Sequence, residues 1–155
     1  MIQRIQSLFL LAAAGLQIFL LFSPVANFAL AGNGYAEFWF KGFTVNQEVG
    51  ETILLPTAAL NILGWFIAVL GLLTIFLFKR RVLQIRLCVY AILLNIGQII
   101  LIAFYIYQFN INNAPQNTAY SMAIAVPAAN VVLTYLAFRA IRKDELLVKA
   151  YERLR

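Results

Sequence analysis

The sequence predicts an all-α membrane protein: a bundle of four transmembrane helices, with both termini on the cytoplasmic side. Three observations lead there. The 155 residues are 63% hydrophobic and only 12% charged, about half the charged fraction of a soluble domain. The apolar residues fall in long charge-free runs. The basic residues collect between and beyond those runs, as the positive-inside rule asks of cytoplasmic segments. The whole chain, 1–155, reads as a single integral membrane domain.

The first span covers about 5–23. Arg4 precedes it and Pro24 is placed to end it, since proline lacks the donor a helix needs. A signal peptide is the rival reading, with Arg4 as its basic region and Ala29-Leu30-Ala31 as a small-residue cleavage site. The apolar run exceeds the usual core of such a leader, which favours a span. Residues 24–51 then form an outer loop. It holds Glu37, Glu48 and Glu51 against a single Lys41. Its aromatic and β-branched stretch from Glu37 to Val45 predicts a short hairpin near the headgroups, and its aromatics read as interfacial anchors.

The second span covers about 53–78, with Thr52 as its N-cap and Pro56 in the first turn. Lys79, Arg80, Arg81 and Arg86 follow within the cytoplasmic hinge 79–86, because such a cluster cannot stay in hydrocarbon. No charge then appears from Leu87 to Phe138. That is too long for one span and fits two, at about 87–107 and 119–138, joined by the polar turn 110–118. Tyr105, Tyr107, Phe109 and Tyr120 flank the turn as an outer aromatic belt. Pro127 inside the fourth span predicts a kink.

The tail, 139–155, opens on Arg139, Arg142 and Lys143. Leu147, Tyr151 and Leu154 recur at helical spacing, so the tail reads as an amphipathic helix continuing the fourth span. This apolar stripe is a candidate partner face. Eleven of the twelve basic residues fall on the inner side of this topology, with Lys41 the exception.

Chemistry is harder to place. Histidine is absent and Cys88 is the only cysteine. Disulfide, CxxC, thiolate-cluster and histidine-ligated haem chemistry are therefore excluded within this chain. No charged side chain is predicted inside the membrane, which argues against a proton relay or ion-coupled transport. No catalytic motif stands out, and no cofactor or metal is expected. The intramembrane polar set is Gln17, Asn61, Thr74, Asn95, Gln98 and Asn130. Of these, Asn61, Asn95, Gln98 and Asn130 form the candidate polar face. It serves either as interhelical hydrogen bonding or as a pocket for a small ligand.

The opening Met1-Ile2-Gln3-Arg4-Ile5-Gln6-Ser7, the four spans and the closing segment from Arg142 to Arg155 are together similar to a bacterial inner-membrane family. That family is typical of Bacteroidota and is catalogued only as domain of unknown function 4293. The resemblance implies an inner-membrane location and supplies no activity. The expected function is a non-enzymatic accessory or scaffold subunit of a larger inner-membrane complex. Its partners would be the lipid bilayer and other membrane-protein subunits, with no nucleic acid. The alternative is a small lipid- or solute-binding protein using the polar face.

Overall fold

Local sequence explains where each element begins and ends. The computed structural model describes residues 2–30, 34–47, 50–77 and 80–153. The first helix, α1, runs Ile2–Leu21. It stops where Ser23 donates its hydroxyl to Phe19 O at 2.8 Å, just before Pro24. Strands β1 (Ala26–Ala29), β2 (Tyr35–Trp39), β3 (Gly42–Gln47) and β4 (Gly50–Pro56) follow. Helix α2 is Ala58–Phe76 and α3 is Arg81–Asn113. Then come β5 (Asn117–Tyr120), a 3-10 turn (Met122–Ala125) and α4 (Val126–Arg153).

The expected hairpin exists, with β2 and β3 paired antiparallel and Phe38 opposite Phe43. It belongs to something larger. Five antiparallel strands form one sheet in the order β4-β3-β2-β1-β5, so the fold is mostly helical with a small sheet rather than all-α. Burial alternates along β1 and β2, with Ala26, Phe28, Ala36 and Phe38 inward. That is the period of a strand covered on one face.

Several boundaries differ from the sequence expectation. Residues 53–56 belong to β4, and helix begins only at Ala58. Thr52 therefore lies in a strand and caps nothing. Thr57 precedes the helix, but its hydroxyl donates to Phe40 O at 2.9 Å. A short apolar run reads equally as strand or helix, and only pairing with β3 decides it. The hinge is shorter than 79–86, because α3 already starts at Arg81. Lys79 lies outside the described residues. Helix α3 also continues to Asn113, beyond the expected 107. Charge and polarity mark where hydrocarbon would end, and a helix continues past that edge at no cost.

The fourth segment changes most. The expected start at 119 falls in β5, which pairs with β1. Ser121 then accepts from Ala123 N at 3.4 Å, and the 3-10 turn leads into α4. Pro127 is thus the second residue of α4. There its missing donor is not needed, so the expected mid-span kink has no cause. The tail does continue this helix, to Arg153.

The main helix contacts join α1 to α2, α2 to α3, α3 to α4, and α4 back to α1. Two apolar clusters result. One sits under the sheet, where Phe43 stacks on Phe109 of α3 at 4.3 Å and on Phe38 at 4.4 Å. The other gathers Leu10, Cys88, Ala137 and Ile141 at the opposite end. Helices α2 and α3 and the stretch Met122–Val148 are each long and apolar enough to cross a membrane. The described apolar stretch of α1, Gln6–Leu21, is shorter. Large side chains such as Phe66, Leu93, Ile100 and Val132 stand exposed on the outer flanks of the bundle.

The tip of the β2–β3 hairpin is pressed into the helices. Phe40 is fully buried, and a Cβ built on Gly64 of α2 would lie 2.7 Å from Leu21 Cδ2 and 3.0 Å from Phe40 Cε1. On Gly71, further along α2, it would meet Ala14 Cβ at an ordinary 3.5 Å. Gly64→Ala is therefore expected to destabilise the protein by about 1–3 kcal/mol through overpacking. Gly71→Ala is expected to be neutral or stabilising, since alanine is the better helix former. Thermal unfolding of the two variants in one detergent checks the contrast.

Candidate functional site: a polar clasp between the helices

Between the two apolar clusters each helix contributes polar atoms to one layer. Gln17 of α1 is its centre. The Gln17 Nε2 group donates to Gln98 Oε1 of α3 at 3.1 Å and, more weakly, to Gly64 O of α2 at 3.4 Å. Asn130 of α4 donates through Nδ2 to Gln17 Oε1 at 3.0 Å. One side chain thereby touches all three other helices. Gln17, Gln98 and Asn130 are at most 1% exposed. A linked chain of amides in a low-dielectric interior polarises along its length, and each link strengthens the next.

Asn95, three residues before Gln98, is equally buried, but its Nδ2 group donates to Ala91 O of its own helix at 2.8 Å. It joins the layer by position and not by a bond. Three amide atoms here find no partner: Asn95 Oδ1, Asn130 Oδ1 and Gln98 Nε2. Asn95 and Asn130 border an internal cavity of about 20 Å³, together with Gln17, Thr74, Cys88 and Thr134. That volume holds roughly one water molecule. It does not hold a solute or a headgroup.

Of the candidate polar face, then, Gln98 and Asn130 meet through Gln17, and Asn95 lies beside them. Asn61 does not join. It is half-buried on α2 and makes no side-chain hydrogen bond among the described residues. Gln17 belonged to the polar set but not to the candidate face. Its signal was present, as an amide inside a charge-free helical run. Nothing in one sequence says which helix such an amide will meet.

A second polar set lies toward the basic end. Gln84 of α3 donates to Thr74 O of α2 at 3.1 Å, while the Thr74 hydroxyl donates to Leu70 O at 2.7 Å. Gln6 of α1 donates to Asp144 Oδ2 of α4 at 2.7 Å. The sequence places Gln84 in the cytoplasmic hinge, yet it is 4% exposed, because α3 has already begun there and turns it toward α2. Arg80, Arg86, Arg139, Arg142 and Lys143 are exposed and Arg81 is half-buried. The side chain of Arg4 is outside what the structure describes. Among the described residues, no group of three or more histidine, cysteine or acidic side chains is placed to hold a metal ion.

Of the tail stripe, Leu147 is exposed, flanked by exposed Leu146 and Val148. Tyr151 lies on α4 without a described side chain, and Leu154 lies outside the described residues.

The clasp makes a testable contrast. Gln17→Leu removes bonds to three helices and strands Gln98 and Asn130. Interhelical hydrogen bonds in membrane bundles average about 0.6 kcal/mol each, so the expected loss is about 2 kcal/mol. Asn95→Leu removes only a bond within its own helix and should cost less than about 1 kcal/mol. Reversible unfolding in mixed detergent micelles measures both. Equal losses would mean that Gln17 is not the centre of the layer.

No curated protein matches the chain. A family model, the domain of unknown function DUF4293, matches residues 2–154, and the chain belongs to that family.

Proposed function

We propose that this protein is a four-span bacterial inner-membrane protein with both termini in the cytoplasm. In this reading it is a non-enzymatic accessory or scaffold subunit of a larger membrane complex. Helix α1 supplies the fourth span. Its 20 residues reach ~30 Å at 1.5 Å each, the thickness of a hydrocarbon core. The exposed basic residues of α3 and α4 lie at the inner end. The sheet and the tyrosines beside β5 lie at the outer end.

One observation carries the scaffold reading. Helix α4 passes without a break from the bundle into the tail, and among the described residues one side of the tail packs on the bundle. Ile141 is fully buried and Asp144 accepts from Gln6. The other side presents Leu146, Leu147 and Val148, 60%, 45% and 41% exposed, next to Arg142 and Lys143. An apolar patch fixed on a rigid helix loses little entropy on docking, and its mixed charges suit a groove on another protein. The solute-binding alternative relied on the polar face, and a cavity of about 20 Å³ there favours the clasp instead.

Two measurements test this. A membrane-impermeant maleimide applied to spheroplasts should label Asn112→Cys but not Arg142→Cys, which should react only after lysis. Labelling of Arg142→Cys in intact spheroplasts would refute the topology. The triple change Leu146→Ser, Leu147→Ser and Val148→Ser keeps the Gln6–Asp144 bond. It should leave the unfolding transition in place while the protein leaves its larger assembly on native gels. Unchanged co-migration with every partner would refute the scaffold role of the tail.

A further inference from the structure

Apart from the polar clasp, a groove of about 380 Å³ opens among the described residues on the flank of α3, toward the sheet. Ile99, Ile102, Ala103, Ile106, Tyr107 and Asn110 line it, and these positions make one continuous stripe down a helix. Ile124 of the 3-10 turn and Tyr120 of β5 form the opposite wall. Ile102 and Ile106 are buried and form its floor, while Ile99 and Tyr107 stand 38% and 65% exposed at its edges.

The groove is graded along its length. Its deep end is aliphatic. Its sheet end carries Tyr107, Tyr120 and Asn110, and the side-chain oxygen of Asn110 is shielded from solvent without a hydrogen-bond partner. From Ile99 to Asn110 the helix rises roughly 16 Å. One leaflet of hydrocarbon is about 15 Å thick. The groove thus runs the depth of a single leaflet, with its polar end where headgroups begin. An extended hydrocarbon chain matches a groove of that length whose floor and deep end are aliphatic. None of these lining residues is charged, so nothing here selects an anionic headgroup. The polar feature left to satisfy is an acceptor, and it asks for a donor.

We propose that this groove is a lipid site. It seats one acyl chain of an outer-leaflet lipid, whose headgroup donates a hydrogen bond at Asn110, as the ammonium of an ethanolamine lipid does and that of a choline lipid cannot. The inference rests on the membrane topology proposed above but not on the scaffold role, and it uses a different place from the polar clasp.

The test uses the full chain reconstituted from vesicles holding equal phosphatidylethanolamine and phosphatidylcholine with matched chains. Retained lipid is read by native mass spectrometry. One lipid should remain bound, with the ethanolamine form enriched roughly 2–10-fold, the worth of one hydrogen bond. Ala103→Phe, at an exposed groove position, should lower retention about 10-fold by filling the slot. Ile124→Trp should do the same from the other wall, should the first variant lose its unfolding transition. Asn110→Leu should keep the lipid and lose the preference. Equal retention by a folded groove-filled variant overturns the proposal, as does a lipid-free dimer that Ala103→Phe dissociates. A chain that never enters the vesicles would instead overturn the membrane reading itself.

Discussion

The packing of this bundle turns on the amide of Gln17. Apolar faces have little reason to associate inside a bilayer, because lipid tails are as apolar as leucine. What helices can share there is close packing and hydrogen bonds. A buried amide that finds no water must find protein, and Gln17 finds one partner on each of the other helices. Its two faces use both ends of the group, Nε2 toward α2 and α3 and Oε1 toward α4. That division fixes the relative height of all four helices. It also explains why Gly64 lies at this level, since its carbonyl accepts from Gln17 and its missing Cβ admits Leu21 and Phe40.

The two ends of the bundle are secured differently. At the sheet end the aromatic stack Phe38–Phe43–Phe109 joins the loops to α3, and aromatic pairs of this kind contribute about 0.5–1.5 kcal/mol beyond the area they bury. The sheet satisfies the backbone of two loops at once, because β5 comes from the second loop and pairs with β1 of the first. At the basic end the helices outrun the apolar slab and polar side chains hold them, through Gln84 to Thr74 O and Gln6 to Asp144. The tail thus continues α4 and is tied to α1 through Asp144. The groove beside α3 has its origin in the other loop. Ending α3 late and starting α4 late, after a strand and a 3-10 turn, leaves one flank of α3 uncovered between Ile99 and Asn110.

Much of this was legible in the sequence because it depends on composition along a line. Charge-free runs located the helices, the Lys/Arg clusters located the polar edges, and the stretch Glu37–Val45 announced a hairpin through its aromatic and β-branched residues. The closing segment showed its helical spacing in Leu147 and Tyr151. Several polar residues of the core could be named as well, Gln17 among them, whereas the buried Gln6 and Gln84 could not. These properties need no knowledge of which residue faces which.

Tertiary structure decided what depends on pairing. Residues 53–56 and 119–120 are apolar or neutral enough for a helix, and they are strands because β3 and β1 offer them open edges. Pro127 lies at the start of α4 and not at mid-helix, since β5 and the 3-10 turn take up the residues before it. Asn95 and Gln98 share a face of α3, yet only Gln98 meets α1, because its longer side chain reaches Gln17 while Asn95 turns back to Ala91 O. The size of the cavity beside Asn95 and Asn130 was equally beyond the sequence, because it is set by how closely four helices approach. Periodicity fixes the face of a helix, and only packing fixes what that face meets.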